Sequence, residues 1–306
     1  MPTYKPSEMA PAIMAISPAF SGTINITENG LYSVGGYENA NVSIHHPYLD
    51  KYEGDMTTFT DSSASMVRYG AFAYTPNLST VNFSSVETIS TYAFANCYKL
   101  SYVSFPNCKT IGGYAFQYCS SLLFNTTNPG VLDSTAFPSL SSTLGTYAFR
   151  NCSKLKEIDL SNVTSTGTGT FLTCVSLISV NMPALTNTGS GCFSGCSRAR
   201  DYSLSALKIV STYAFGMNYS LSTITLSAAT NIYANAFRAC SKLESLYLPG
   251  STQVALSSTT AFASSPMSVS TLISKFGSIY VPSSMVDAYK AATNWATYKN
   301  RITAIT

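Results

Sequence analysis

Two adjacent histidines, three carboxylates and eight cysteines are the residues of this chain whose types and spacing could do chemistry. His45 and His46 stand side by side in SIHHPYLDKYEGD. A nucleophile, imidazole and carboxylate triad built on either needs partners brought to that junction from elsewhere, and the stretch reads as a surface linker. Glu157 and Asp159 share one short segment, and Asp201 recurs two periods later with Asn181 between them. Oxygen groups of this kind suit Ca²⁺ or a basic group on a partner. An acidic patch left in water is the plainer reading, and no metal or other cofactor is assigned. Hydrolysis of a glycan needs two carboxyl groups flanking an enclosed bond, and Glu157 with Asp159 offers no such enclosure. The chain has no glycine-rich phosphate loop, no HExxH and no GxSxG, the short signatures that place nucleotide, zinc or serine chemistry. The expectation is a chain that is not an enzyme.

Six of the cysteines, Cys97, Cys119, Cys152, Cys174, Cys196 and Cys240, each follow a phenylalanine by three residues. Stacked in a row, such neighbours come within disulfide distance. Thr75 and Asn218 occupy the same slot, which favours a small buried group that satisfies the backbone. Buried cysteine behaves as a small hydrophobe, so the row reads as a reduced structural ladder. Cys108 and Cys192 lie elsewhere, and without a CxxC a zinc site has little support.

What positions these residues is a repeat. The phenylalanines Phe72, Phe94, Phe116, Phe149, Phe171, Phe193, Phe215, Phe237 and Phe262 are separated by 22, 22, 33, 22, 22, 22, 22 and 25 residues. The interval of 33 is one period plus an insertion of 11, and it contains an extra AF at Phe137, which marks a bulged or degenerate unit. Within a unit the apolar positions run as Phe149, Cys152, Leu155, Ile158, Leu160 and Val163. The spacing of two between Ile158 and Leu160 is a strand signal, because alternate side chains of a strand share a face. The spacings of three suit tight turns and 3-10 coils. A unit this short buries its apolar face only against its neighbours, so the units stack as a solenoid with a parallel sheet along one side.

The phrases LxxIxL at Leu155 to Leu160, LxxVxM at Leu177 to Met182 and LxxLxL at Leu243 to Leu248, each preceded by AFxxC or a variant, resemble BspA-like leucine-rich repeats. The resemblance covers residues 66 to 282. It implies a right-handed superhelix of strand plus short helical turn, with a curved parallel β-sheet, used for adhesion or recognition. It also places recognition on the sheet face, where residues flanking the inward strand positions point to solvent. Tyr102, Glu157, Asp159, Ser179, Asn181, Asp201, Thr223, Thr225 and Tyr247 are the candidate binding residues.

The ends read differently. Residues 22 to 44, GTINITENGLYSVGGYENANVSI, alternate apolar and polar residues and turn at Asn29-Gly30 and Gly35-Gly36, the pattern of short strands joined by tight turns. This stretch resembles a segment of structural proteins of phages and prophages of Gram-positive bacteria, which implies an attachment role. After the repeats, Ser283 or Ser284 is placed to cap an amphipathic helix reaching about Ala292, with Met285, Tyr289 and Trp295 over the open end of the stack. The organisation expected is therefore an N-terminal β module at 1–48, a linker or N-terminal cap at 49–65, repeats at 66–282 and a capping helix at 283–306.

Only 10% of the residues are charged and the net charge is +3, with the 17 basic residues scattered, so a phosphate-tracking surface and a nucleic-acid partner are not expected. The start, MPTYKPSEMAPAIMAISPAFSG, has three prolines and both Lys5 and Glu8 before any apolar run reaches signal-peptide length, and it reads as non-cleaved. No apolar stretch reaches the roughly 18 to 20 residues of a membrane span, so membrane insertion is not expected. The resulting expectation is a recognition protein of a virion or cell surface. Its partners are a host cell-surface protein or glycan and, through the N-terminal module, other virion proteins; a BspA-like surface adhesin of a bacterium is the alternative.

Overall fold

The computed structural model describes the backbone of residues 30–33, 41–45 and 48–53 and the whole of residues 57–62, 64–124, 126–140, 143–268 and 276–305. The chain start, Asn29, the Gly35-Gly36 turn and His46 lie outside the described residues.

Each unit makes one turn of a parallel solenoid, and backbone hydrogen bonds join turn to turn along three lines. On the first line Thr58–Asp61, Thr80–Phe83 and Tyr102–Ser104 pair in parallel. After the insertion Val131–Asp133, Glu157–Asp159, Ser179–Asn181 and Asp201–Ser203 form a second run, and Thr223–Thr225, Ser245–Tyr247, Ser278–Val281 and Ile302–Ala304 a third. The second line holds the two-residue strands Met66–Val67, Thr88–Ile89 and Thr110–Ile111, then isolated bridges at Thr166, Asn187 and Ile209, then Ile209–Val210, Asn231–Ile232 and Ala255–Leu256. The third line joins the turns around the marker phenylalanines: the Phe72 N–H donates to the Ala93 carbonyl at 2.7 Å and the Phe94 N–H to the Ala115 carbonyl at 2.8 Å, a pattern that recurs through the stack.

The nine marker phenylalanines are buried and form one column. Their rings lie nearly parallel, with centroids 5.0 Å apart at Phe72–Phe94 and 5.8 Å apart at Phe193–Phe215. Offset stacks of this spacing add favourable contact beyond the area they bury. Phe137 does not open a further unit. It stacks on Phe105 at 5.7 Å, in the neighbouring column that Phe83 and Phe105 begin, so the insertion loops out and the chain rejoins the pattern eleven positions later in phase.

The cysteine slot has a definite task. The thiol of Cys119 donates to the carbonyl of Phe94 at 3.1 Å, one unit back, and Cys97, Cys152, Cys174, Cys196 and Cys240 make the same bond to Phe72, Phe116, Phe149, Phe171 and Phe215. In the first unit Thr75 bonds to the carbonyl of its own Phe72 at 2.6 Å, and in the last Ser265 does so to Phe262 at 2.7 Å. All eight cysteines are free and buried.

The turns impose a rule of their own. From Phe72 to Phe237 the residues two before and two after the marker hold φ near +60°, as at Tyr92 and Asn96 around Phe94. Glycine takes this conformation freely and asparagine tolerates it, whereas other side chains are disfavoured there by ~1 kcal/mol or more. A different constraint acts at Gly189, where a Cβ would lie 2.0 Å from the Gly167 carbonyl oxygen of the preceding unit. Both partners are backbone, so neither can swing away. Gly189→Ala is expected to destabilise the fold by about 2 to 3 kcal/mol, measured by urea unfolding, and an unchanged midpoint would contradict this contact.

The two ends depart from expectation. Within the 49–65 segment, expected as a linker or N-terminal cap, Thr58–Asp61 is the first rung of the main ladder. Tyr48–Glu53 joins Met66–Val67 in parallel and Asn41–His45 antiparallel, which places His45 in a strand rather than a linker. Gly30–Ser33 completes this meander against Asn41–His45. At the other end the α-helix is only Val286–Ala291, and its N-cap is Met285 without a side-chain bond. Ser283 and Ser284 instead lie in a preceding 3-10 turn, Ser283–Met285. The cap is completed by a 3-10 turn, Trp295–Arg301, and by the strand Ile302–Ala304, so a strand closes the ladder as much as a helix covers it. Trp295 donates its indole N–H to the Val254 carbonyl at 2.7 Å, and the Tyr289 hydroxyl accepts the Val254 N–H at 2.9 Å. Tyr298 packs edge-on against Phe262 at 5.2 Å.

Candidate functional site

On a strand of three residues the middle side chain faces the core and its two neighbours face out, which is why Ile158, Val180 and Ile224 are buried while Glu157, Asp159, Asn181, Asp201, Thr223 and Thr225 are exposed. Tyr102, Ser179 and Tyr247 are half-buried on the same face. The parallel register sets Glu157 beside Ser179 and Asp201, and Asp159 beside Asn181 and Ser203. Thr223 stands beside Ser245 and Thr225 beside Tyr247, whose ring stacks on Tyr280 at 4.5 Å.

Ser179, Asn181, Asp201, Thr223 and Thr225 line one groove of about 540 Å³, together with Arg200, Ser203, Ser220 and Ser222 and with Val180, Tyr202 and Ile224 between them. Glu157 and Asp159 stand one strand to one side of it and Tyr247 one strand to the other. Tyr102 is not brought to it, since the inserted loop and the Val131–Asp133 strand intervene.

The groove exists because the main ladder opens there. No pairing joins Asp201–Ser203 to Thr223–Thr225. At the next rung Glu244 and Ser245 both donate their N–H to the Ser222 carbonyl, yet among the described residues Ser222 and Thr223 make no such bonds to Arg200. The other two lines run on unbroken past this point, through Ile209–Asn231 and through the Phe193 N–H to Ala214. The cause lies in three residues of two adjoining units. Tyr202 fills a slot that holds Ile158 or Val180 in earlier units, Ala199 replaces the leucine of Leu155 or Leu177, and Asn218 replaces the cysteine. The Tyr202 hydroxyl donates to Asn218 Oδ1 at 2.8 Å, and Asn218 Nδ2 donates to the Phe193 and Phe215 carbonyls at 2.9 and 2.7 Å. The Tyr202 ring stands edge-on to Phe193 and Phe215, with centroids 5.5 and 5.0 Å away. It acts as a wedge, and the two phenylalanines it touches are the pair 5.8 Å apart and tilted by 15°. Burial pushes the Tyr202 hydroxyl well above its usual pKa, so it stays a neutral donor.

Charge in the groove is paired. Asn181 Nδ2 donates to Asp159 Oδ1 at 2.8 Å, and Arg200 Nε lies 3.4 Å from Asp201 Oδ2. Among the described residues no group of three or more His, Cys, Asp or Glu is placed to hold a metal ion. The expectation from sequence missed Arg200, Ser220 and Ser222 as lining residues. The signal that points to them is the joint departure of Ala199, Tyr202 and Asn218 from the repeat, which marks where neighbouring rungs cannot close.

A second surface feature also lies outside the sheet-face expectation. Tyr69, Tyr74, Tyr98, Tyr213, Met217, Tyr219 and Tyr233 are exposed, and each lies within four residues of a marker phenylalanine, so this apolar surface sits along the turns.

No helix among the described residues is long and apolar enough to cross a membrane. The family model for the BspA type leucine rich repeat region matches residues 55–130, 124–244 and 189–282. No curated protein matches the chain. Among solved structures, a leucine rich cell surface protein from Faecalibacterium prausnitzii is 18% identical over 92% of both chains, with a TM-score of 0.39. A leucine rich repeat protein of T. pallidum is 25% identical over 50% of this chain and 82% of its own, with a TM-score of 0.37. One from Bacteroides ovatus is 17% identical over 93% of this chain and 92% of its own, with a TM-score of 0.31. With 22-residue units stacked in parallel and a family match that spans most of its length, the chain belongs to the BspA type leucine rich repeat family.

Proposed function

We propose that the chain is a non-enzymatic recognition protein that adheres to a surface protein or glycan of a cell through its sheet face, with the groove between Asp201–Ser203 and Thr223–Thr225 as the point of contact. The observation that carries this reading is the open ladder. Among the described residues the N–H groups of Ser222 and Thr223, which water or a ligand must satisfy, make no bond to Arg200 there, and the exposed Asn181 and Asp201 line the same groove, on a rigid scaffold that holds them in place. A solenoid offers such a face without the enclosed acid and base that catalysis requires. Carriage on a phage particle, with residues 1–48 as the attachment segment, rests on the resemblance of residues 22–44; the family match begins at residue 55 and leaves that segment outside it. Placement on a bacterial surface, as in a BspA-like adhesin, uses the same face.

The test compares the purified chain with a variant carrying Asn181→Ala, Thr223→Ala and Thr225→Ala for binding to a panel of intact bacteria. All three side chains are exposed, so their removal leaves stability within about 0.5 kcal/mol each. Strain-selective binding that falls at least tenfold in the variant is expected. Equal binding by both forms, or binding to no strain, contradicts a recognition role for this face.

A further inference from the structure

Tyr69, Tyr92, Tyr114 and Tyr147 form a pile along successive turns, with ring centroids 5.5, 4.5 and 5.2 Å apart. Three of them hold left-handed backbone, with φ of 61° at Tyr92, 59° at Tyr114 and 55° at Tyr147, and in the next column so do Tyr74 at 62° and Tyr118 at 61°. The same two positions in other units hold Gly169, Gly191 and Gly195, or Asn96, Asn151 and Asn235, and also Thr173, Tyr213, Met217, Ala239 and Ser264. Glycine and asparagine suit this conformation, and the tyrosines, like the other side chains there, stand against the backbone preference. Core packing does not explain them, since Tyr69 and Tyr74 are exposed and the other four only half-buried. What sets Tyr92, Tyr114 and Tyr147 apart from the other left-handed turn residues is the continuous pile of rings they form with Tyr69 along the surface.

The rings also limit what they can bind. Tyr92 and Tyr114 lie face to face, 12° from parallel. Tyr147 covers Gly169, where a Cβ would meet its ring at 2.3 Å. The Arg150 guanidinium lies over Tyr118 and Tyr147, 5.5 and 5.3 Å from their centroids. With ring faces covered in this way, the ridge presents hydroxyls and ring edges, the positive end of the aromatic quadrupole. Arg150 Nε is buried without a hydrogen-bond partner. The turn segments 68–77, 90–101, 112–123 and 145–155 contain Arg68, Lys99, Arg150 and Lys154 and no carboxylate.

We propose that this tyrosine ridge, from Tyr69 to Tyr147 with Arg150, is a binding track for a carboxylated polysaccharide. Phenol hydroxyls donate to and accept from sugar hydroxyls, and arginine pairs with carboxylates. Their recurrence once per solenoid turn matches a linear polymer of repeating sugars. Single-stranded nucleic acid needs free ring faces for its bases, and a protein anchor needs a pocket for its central side chains; the ridge is short of the first and offers no recess for the second. The track is separate from the sheet-face groove and does not depend on it.

The experiment measures binding of the full chain to polygalacturonate, with dextran, poly-glutamate and poly(dT) as comparators. Polygalacturonate is expected to bind at least tenfold more tightly than the other three. A variant with Tyr92→Asn, Tyr114→Asn and Tyr147→Asn is expected to lose that binding at least tenfold and to keep its melting temperature, because asparagine tolerates the left-handed conformation and already holds the position two before the marker at Asn235. The Asn181→Ala, Thr223→Ala, Thr225→Ala variant is expected to bind as the native chain does, which separates this track from the groove. Arg150→Gln is expected to weaken binding as well, and it carries the test if the triple variant fails to fold. The proposal is overturned by no binding to polygalacturonate, by equal binding to poly-glutamate or poly(dT), or by binding that survives these substitutions.

Discussion

Raising the pH from 8 to 10 under reducing conditions is expected to unfold the solenoid. Burial pushes the Cys97 thiol up to about 11 and those of Cys108, Cys192 and Cys240 up to about 12, against 9.0 for a free thiol. It raises Cys119, Cys152, Cys174 and Cys196 in the same direction. A folded-state pKa above the unfolded one means that the folded chain holds its protons while the unfolded chain releases them. The stability this represents is complete below pH 9 and is lost as pH rises beyond it. Each thiol contributes a slope of about 1.4 kcal/mol per pH unit, and eight together about 11 kcal/mol per unit, comparable with the whole stability of an ordinary domain at ~5 to 15 kcal/mol. Ionisation of Tyr202, Tyr289 and Tyr298 in the unfolded chain, each raised by burial in the fold, acts in the same sense at higher pH. The midpoint should fall between pH 9 and about 10.5 by circular dichroism. A thiol reagent should find none of the eight cysteines reactive in the folded chain at pH 8 and all of them once it is unfolded. Replacing Cys152 and Cys174 with serine, the residue of the last slot at Ser265, should lower the proton count of the transition by two whatever it does to absolute stability. A midpoint beyond pH 11, or thiols that react while the fold is intact, would contradict the buried ladder.

The repeat was legible because its physics is periodic. Every 22 residues the chain needs an inward phenylalanine, a small donor three residues on and a strand pair with one apolar residue inward, and those needs write the same phrase again. Leu155, Ile158, Leu160 and Val163 all lie where their spacing puts them, in the core. Positions that break the period carried their information in less readable form. Phe137 looks like a marker because it follows an alanine, but its contact with Phe105 across one period reveals the other column. The left-handed turn residues leave no common residue type, since glycine, asparagine and tyrosine all occupy them, so backbone conformation there is invisible in the letters. In the cap the helix ends at Ala291, beside the Ala292 its amphipathic pattern points to, but the 3-10 turn at Ser283–Met285 and the turn at Asn294, with φ of 63°, that sends the chain to the last strand have no such pattern. The groove depends on the absence of hydrogen bonds, which no single residue type announces, and only the coincidence of Ala199, Tyr202 and Asn218 in adjoining units points to it.

That coincidence predicts the largest effect of a single substitution. Asn218→Ala removes the acceptor of the Tyr202 hydroxyl and the side-chain donor to the Phe193 and Phe215 carbonyls. The Phe215 carbonyl retains the thiol of Cys240, so the principal losses fall on the hydroxyl and on Phe193. A buried polar group left without its partner costs about 1 to 3 kcal/mol, and the cavity adds to this, so a loss of about 4 kcal/mol is expected in urea unfolding. Rewriting these three positions like those of the neighbouring units, with Ala199→Leu, Tyr202→Ile and Asn218→Cys together, removes the polar pair and the wedge at once. Replacing both partners with well-packed groups avoids that penalty, so the triple variant should be at least as stable as the native chain. Its main ladder should close, and the amides of Ser222 and Thr223, unprotected in the native chain, should then exchange slowly as those of Glu244 and Ser245 do. If the groove is the contact point, the triple variant should also lose binding to cells while its tyrosine ridge, several turns away, binds as before. A single Asn218→Ala loss below about 0.5 kcal/mol, or Ser222 and Thr223 amides already protected in the native chain, would show that Tyr202 does not hold the sheet open.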